Sequence, residues 1–106
     1  MKIGIIIASN DDETVWNAFR FGCFSLSQGD SVKVFLLGKG VESEAMQSLK
    51  FNVPAQMKAL VKAGGQIQAC GTCLEIRQSE ATDMCPLSTM KDMHDIVKNS
   101  DRVLSF

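Results

Sequence analysis

Apolar runs and helix-like stretches alternate along the chain, and this pattern predicts strands and helices in turn. The continuous, β-branched run over residues 3–8 is typical of a strand covered on both faces, as in a parallel sheet. Further strands are predicted over residues 32–37, 66–69 and 102–105. Because strands that alternate with helices imply βαβ crossovers, we predict an α/β fold with a mainly parallel sheet.

Helical periodicity fills the segments between these strands. Helices are predicted over residues 12–28, 42–49, 53–63 and 89–99. Asn10 and Glu13 are spaced like a capping box at the start of the first helix, and Asn52 is suited to cap the third. The predicted inward residues of the third and last helices are Val53, Met57, Leu60, Val61, Met90, Met93 and Val97.

The first helix carries more apolar side chains than one buried face needs. Its predicted inner face consists of Val15, Phe19, Cys23 and Leu26. Trp16, Phe21 and Phe24 lie off that stripe. A helix that is apolar on more than one side is either deeply buried or in contact with another subunit, so we predict a homo-oligomer.

Composition narrows the functional classes. The 106 residues correspond to one domain, residues 1–106, and the 45% apolar and 22% charged residues are ordinary for a globular protein. With a net charge of −1, no nucleic-acid or anionic-membrane partner is expected. No apolar run approaches the roughly 20 residues that span a bilayer. We therefore expect a cytoplasmic protein whose four cysteines are reduced thiols.

Two of these cysteines, Cys70 and Cys73, stand at the end of the third predicted strand. Gly71 and Thr72 are predicted to form a turn, and Cys73 to open a helix that reaches Arg77. A cysteine at a helix N-terminus meets unpaired N–H groups and the positive end of the helix dipole, which favour the thiolate. A depressed pKa is therefore predicted for Cys70, together with faster reaction than at Cys23.

Several kinds of chemistry fit this pattern of thiols. Catalytic groups gather at the carboxyl ends of parallel strands, where these cysteines and the Gly38-Lys39-Gly40 loop are predicted to lie. The loop lacks the spacing of a P-loop, and no cofactor is predicted. The single histidine makes a Cys-His hydrolase unfavourable, whereas persulfide sulfur transfer or dithiol–disulfide exchange needs only thiols.

Two further alternatives remain open at this stage. Cys70, Cys73, Cys85 and His94 have the ligand types of a zinc site, although their spacing is not that of a recognised zinc finger. A redox module or a metal-binding oligomer is therefore the second hypothesis. The third is a subunit without catalytic activity whose aromatic helix serves assembly.

Four segments together resemble one known family. They are Ile-Gly-Ile-Ile-Ile in the first strand, Val-Lys-Val-Phe-Leu-Leu-Gly-Lys-Gly-Val in the second, Gly-Gly-Gln-Ile-Gln-Ala-Cys-Gly-Thr-Cys-Leu around the thiols, and the terminal Ser-Asp-Arg-Val-Leu-Ser-Phe. With them the chain resembles the DsrE-like family of small sulfur-relay proteins, which includes DsrE/DsrF/DsrH, TusBCD and YchN-like proteins. The resemblance extends over nearly the whole chain, and Ala-Cys-Gly-Thr-Cys is its most specific part.

The resemblance implies a fold, an assembly and a reaction. The implied fold is a three-layer α/β/α sandwich with a parallel sheet of about five strands, assembled as a trimer or hexamer. The implied reaction uses Cys70, which accepts sulfur as a persulfide from a donor protein and passes it to an acceptor protein. Arg77 resembles a basic residue of the following helix. Many relay proteins have a single reactive cysteine, so Cys73 is a departure, and Cys85 stands nearby in sequence.

These expectations lead to a test by substitution. Cys70→Ser is predicted to abolish sulfur loading, because it removes the sulfur acceptor. Cys73→Ser is predicted to permit loading but to change release, because a thiol three residues away can attack a persulfide on Cys70.

Overall fold

One parallel sheet organises the chain, and the computed structural model describes all residues from 1 to 106. Its strands are β1 (Lys2–Ile7), β2 (Ser31–Leu36), β3 (Gln66–Cys70), β4 (Leu87–Ser88) and β5 (Arg102–Ser105), in the order β4-β3-β2-β1-β5. The α-helices are α1 (Asp12–Ser27), α2 (Val53–Lys62), α3 (Gly71–Ile76) and α4 (Met90–Asn99), and a 3₁₀ helix spans Gly38–Ala45. The predicted α/β fold with a parallel sheet of five strands is confirmed.

Helices cover both faces of the sheet. A Cβ atom added at Gly22 of α1 would lie 2.6 Å from Leu60 Cδ1 of α2 and 3.4 Å from Ile5 Cδ1 of β1. One added at Gly4 would instead meet Ile96 and Ser100, at the end of α4. Since neighbouring strand residues point to opposite faces, α1 and α2 share one face and α4 lies on the other. None of the helices is long and apolar enough to cross a membrane.

The start of α1 differs from the predicted capping box. Asp11 is the N-cap residue, and its side chain accepts hydrogen bonds from the Thr14 backbone N–H at 3.0 Å and from the Thr14 hydroxyl at 2.8 Å. Asn10 lies one residue earlier and donates to the Glu42 side chain at 3.3 Å. The prediction that Asn10 caps this helix is wrong, because a neighbouring carboxylate takes that position and Asn10 is engaged with a distant segment.

The segment after β2 also differs from its prediction. The 3₁₀ helix spans Gly38–Ala45, and the chain then runs irregularly to the start of α2, so the predicted helix over residues 42–49 is wrong. A side chain at Gly40 would collide with the Ile7 carbonyl, so this turn passes directly over the end of β1. Ser43, fully buried, donates to the Gly40 carbonyl at 2.6 Å and holds the turn in place. Contact with β1 therefore favours the tighter helix at this position.

Two predicted inner faces also need correction. Val53, Met57 and Leu60 of α2 are fully buried, as expected, but Val61 is exposed. In α4 the buried residue is Ile96, while Met90 and Val97 are exposed and Met93 is half-buried. The helix is turned so that Ile96 packs against the bare backbone of Gly4. The contact with β1 therefore decides which residues of α4 face the sheet, and the sequence pattern alone does not show it.

One strand has no counterpart in the sequence pattern. β4 has two residues and pairs with β3 through Ala69–Leu87 and Cys70–Ser88. The Pro86 carbonyl accepts a hydrogen bond from Ala69 N at 3.1 Å, which extends the pairing by one residue. Two residues are too few to show a hydrophobic period. This strand is therefore recognised only by its pairing with β3.

Candidate functional site

Cys70 is the junction between β3 and α3. It is the last residue of the strand and also the N-cap residue of the helix, which begins at Gly71. The prediction that Gly71 and Thr72 form a turn and that Cys73 opens the helix is therefore wrong by two residues. Cys70 follows Gln68 on the face of the sheet that α4 covers, and its side chain is only 3% exposed.

The electrostatic prediction for Cys70 is also wrong. Burial, and then a hydrogen bond with Cys73, raises the pKa of the Cys70 thiol. The backbone N–H groups of Thr72 and Cys73 at the start of α3 act in the opposite direction, as predicted, but desolvation outweighs them. The helix that supplies these groups has six residues, so its dipole is small.

Cys73 lies in different surroundings, three residues further along α3. Its side chain is half-buried, and its Sγ accepts a hydrogen bond from the Gly38 backbone N–H at 3.2 Å. Gly38 follows β2, with a φ of 55° that glycine adopts without strain. A backbone N–H group from the end of the neighbouring strand β2 thus reaches Cys73, which lies three residues after Cys70.

Arg77 ends α3, but its charge is directed away from Cys70. Its Nε lies 2.8 Å from Glu42 Oε2 in an ion pair, and one guanidinium nitrogen donates to the Cys73 carbonyl at 3.1 Å. This pairing, followed by the hydrogen bond from Asn10, lowers the pKa of Glu42. The guanidinium therefore joins α3 to the 3₁₀ helix, and Glu42 balances its charge.

A cleft of about 640 Å³ lies beside the thiol pair but does not include it. Its lining consists of Asn10, Val41, Glu42, Glu44, Ala45, Met46, Ala69, Leu74, Arg77, Ser79, Glu80, Thr82 and Cys85. Ala69 points to the face opposite Cys70, because adjacent residues of β3 alternate. Cys70 therefore points away from the cleft, although Leu74 and Arg77 of α3 line it.

Cys85 belongs to this cleft. Burial, and then the Glu44 carboxylate, raises the pKa of its thiol to about 12. The Thr82 hydroxyl donates to Glu44 at 2.6 Å and accepts from the Cys85 backbone N–H at 3.2 Å. Cys85 therefore remains a protonated, buried thiol on the far side of β3 from Cys70.

The structure does not assemble the zinc site that the ligand types suggested. No three His, Cys, Asp or Glu side chains are grouped so that they could hold a metal ion. Cys70 and Cys85 point to opposite faces of the sheet, while His94 is exposed on α4. Cys23 is separate again: it lies half-buried in α1, its Sγ is 3.8 Å from the Gln56 carbonyl, and burial raises its pKa.

Comparison with known proteins identifies the family. The sequence profile of the DsrE/DsrF-like family matches residues 1–106. The chain belongs to this family. An uncharacterized protein, MJ0989 of Methanocaldococcus jannaschii, is 32% identical over 114 aligned residues and is covered completely, as is this chain. The uncharacterized protein MK0008 of Methanopyrus kandleri is 32% identical over 100 residues, which cover 89% of this chain and 83% of that protein.

Solved structures of low sequence identity share the fold. The crystal structure of YchN from E. coli superimposes with a TM-score of 0.85 at 19% identity, over the whole of both chains. A conserved protein of unknown function, BT1422 of Bacteroides thetaiotaomicron, gives a TM-score of 0.74 at 19% identity and covers 99% of this chain and 94% of its own. The DsrE-like fold is thereby confirmed, and family membership supports a role of the sulfur-relay type in general.

Sequence reasoning did not assign Gly38 to the site. The Gly38-Lys39-Gly40 loop was predicted to lie at the same edge of the sheet as the thiols, but the only role considered for it was phosphate binding, which its spacing disfavours. Its position at the carboxyl end of β2 was the useful signal, because β2 and β3 are neighbours in the sheet and their ends meet. The residues of the cleft other than Arg77, including Glu44 and Thr82, carry no local motif that would have identified them.

Proposed function

We propose that this DsrE/DsrF-like protein is a cytoplasmic sulfur carrier that holds sulfur as a cysteine persulfide on Cys70, with Cys73 as the second thiol. The observation that carries the proposal is the placement of both thiols at the carboxyl end of β3, with Cys70 ending the strand and Cys73 in the first turn of α3. Parallel sheets place reactive groups at this edge. Family membership supports the choice of sulfur over other cargo.

Partner proteins follow from the proposed chemistry. A carrier needs a sulfur donor and a sulfur acceptor, and both must reach the α3 end of β3. We further propose a homo-oligomer, because apolar side chains remain exposed on α1 and at the β5 edge, and the resemblance to the DsrE-like family implies a trimer or hexamer. Phe24 is 62% exposed, and Val103 and Leu104 are about 40% exposed. Light scattering at micromolar concentration should therefore give a mass of three or six chains, and a monomer would contradict the proposal.

Persulfide loading is directly measurable. The reduced protein is incubated with a low-molecular-weight alkyl persulfide, and the tryptic peptide of residues 63–77, which contains both thiols, is fragmented in a mass spectrometer. We expect a stable adduct of about 32 Da, one sulfur atom, on Cys70. Cyanolysis in the cold should release the same sulfur as thiocyanate. Cys23→Ser is the matched control, since it removes a thiol in α1 and should leave loading unchanged.

Dithiol–disulfide exchange is the second candidate, because two free thiols stand three residues apart at the start of α3. The two functions give different products. A carrier gains about 32 Da and releases a donor thiol, whereas a redox module loses about 2 Da and becomes resistant to alkylation at both cysteines. A protein that forms the disulfide with an alkyl disulfide, and takes no sulfur from the persulfide, would overturn the carrier proposal in favour of exchange.

A further inference from the structure

We infer that Cys73 is the first sulfur acceptor of the pair, that the Gly38 N–H stabilises its attacking sulfur, and that Cys70 receives the sulfur from Cys73. The inference rests on the proposed carrier function and adds the order in which the two thiols act. It departs from the sequence-based prediction, in which Cys70 meets the donor. Access, hydrogen bonding and proton placement each support this order.

Access distinguishes the two thiols first. A sulfur donor must bring its outer sulfur into contact with the attacking Sγ along the line of the bond that breaks. Cys70 is 3% exposed, whereas Cys73 is half-buried and lies among exposed residues of α3. Thr72 precedes it, and Ile76, one turn further on, is 73% exposed. A donor protein can therefore reach Cys73 without any change in the backbone.

Hydrogen bonding distinguishes them next. The Gly38 N–H points at Cys73 Sγ from 3.2 Å, and a donor of this kind binds an anionic sulfur more strongly than a neutral one. The thiolate is the nucleophilic form of cysteine. The Gly38 N–H group is held firmly in position by its neighbours in the chain. Gly40 packs against the Ile7 carbonyl, and the Leu37 N–H donates to that carbonyl at 2.9 Å.

Cys70 is suited to the second step. Burial raises the pKa of its thiol, and the hydrogen bond with Cys73 acts in the same direction. Cys70 therefore keeps its proton until sulfur has been delivered to the more accessible Cys73. Cys70 is the N-cap residue of α3 and Cys73 lies in its first turn, a spacing at which a sulfur carried on Cys73 can be attacked by Cys70.

The two steps balance without an oxidant or reductant. In the first, the Cys73 thiolate attacks the outer sulfur of a donor persulfide; a bond from Cys73 Sγ to that sulfur forms, the donor S–S bond breaks, and the donor leaves as a thiolate. In the second, Cys70 Sγ bonds to the same outer sulfur, and the bond to Cys73 Sγ breaks. The Cys70 proton passes to Cys73 Sγ. The persulfide then stands on the more sheltered cysteine.

Limited alkylation tests the order without any sulfur donor. The native protein is treated briefly with iodoacetamide over a range of pH, and the peptide of residues 63–77 is fragmented to compare the two sites. We expect roughly tenfold faster labelling of Cys73 than of Cys70 or Cys23 near neutral pH. Equal rates at Cys70 and Cys73, or faster labelling of Cys70, would overturn the inference.

The Gly38 amide gives a second, independent measurement. Its ¹⁵N–¹H signal should titrate with the same pH midpoint as the alkylation of Cys73, because ionisation strengthens the hydrogen bond that it donates. Cys73→Ser should remove this titration, while Cys23→Ser should leave it unchanged. A Gly38 signal that ignores pH, or that still titrates in Cys73→Ser, would show that the amide does not act on Cys73.

Sulfur loading then completes the assignment. Cys70→Ser should still take sulfur at the wild-type initial rate, but on Cys73 and with faster loss, whereas Cys73→Ser should load Cys70 at least roughly tenfold more slowly. Wild-type loading rates in Cys73→Ser would overturn the inference and leave the carrier proposal intact. Wild-type protein that takes up no sulfur would refute the carrier function, while the alkylation order would still decide which thiol reacts first.

Discussion

On one face of the sheet α1 and α2 together cover the strands, and on the other α4 lies alone. Ile5, Ile7 and Val34 on the first face are completely buried. On the second face, Lys33 and Gln66 remain exposed, and Gln68 Oε1 is buried without a hydrogen-bond partner. A helix with its side chains is about 10–12 Å wide, whereas five strands span roughly 19 Å, so α4 alone cannot cover its face. The first face therefore carries most of the core, and the second holds Cys70 and the fully buried Phe35 in a less complete one.

The largest expected effect tests where the core lies. Phe19 of α1 is fully buried, so Phe19→Ala should lower the free energy of unfolding by about 3–5 kcal/mol in a denaturant titration. Met93→Ala, a half-buried residue of α4, should cost clearly less. Phe24→Ala serves as a control in the same helix, because Phe24 is mostly exposed and should change stability by less than about 0.5 kcal/mol. Equal costs for Phe19→Ala and Met93→Ala would remove the contrast between the faces.

Two glycines at close contacts, one on each face of the sheet, allow a finer comparison of how tightly the faces are packed. Gly22→Ala would place a methyl group 2.6 Å from Leu60 Cδ1, a fully buried atom that has no room to move. Overpacking of this kind costs about 1–3 kcal/mol. Gly4→Ala would meet Ile96 Cγ2 at 2.8 Å and Ser100 Oγ at 2.9 Å, near the less covered end of α4. We therefore expect Gly4→Ala to lower the free energy of unfolding less than Gly22→Ala does in the same denaturant titration. A larger loss for Gly4→Ala would show that α4 is packed more rigidly than α2.

Capping of α2 gives a smaller effect. The Asn52 side chain accepts a hydrogen bond from the Ala55 N–H at 3.1 Å. Asn52→Ala should therefore cost about 1 kcal/mol, since it leaves that N–H without a partner. Asn52→Asp restores an acceptor and should recover most of the loss. If both variants lose the same amount, the cap does not stabilise this helix.

Acid sensitivity should be the smallest effect. Hydrogen bonds from Thr14 lower the pKa of Asp11, the N-cap residue of α1, and hydrogen bonds from Thr89, the N-cap residue of α4, lower the pKa of Asp92, its partner in the capping box. A depressed pKa stabilises the folded state above the unfolded value near 4 and loses that contribution as the pH falls through the folded value. Thermal midpoints should thus fall on acidification below about pH 4.

The variant Asp11→Asn keeps a good capping residue without a titrating group. Its midpoint should depend less on pH in the same interval than that of the wild type. Asp92→Asn gives the matching measurement at α4, on the less covered face. A pH profile that neither substitution alters would show that other carboxylates determine the acid response.

Much of the architecture follows from local patterns. The apolar run of β1 and the cap at Asn52 are stretches in which neighbouring residues suffice to indicate the structure. The predicted parallel sheet follows from their alternation, and the family from the segment around Cys70 and Cys73. Where prediction was wrong, as for the 3₁₀ helix and the buried stripe of α4, a distant backbone contact at Ile7 or Gly4 decides the outcome.

The sequence by itself determined that two thiols, three residues apart, stand where a strand meets a helix. Only the tertiary structure decided how they differ. Cys70 is buried at the end of β3, while Cys73, in the next turn, meets an N–H group from Gly38, 35 residues earlier in the chain. Solvation and hydrogen bonding of a side chain depend on whatever packs around it. In this protein those neighbours include the segment that follows β2, which no local reading of Cys-Gly-Thr-Cys contains.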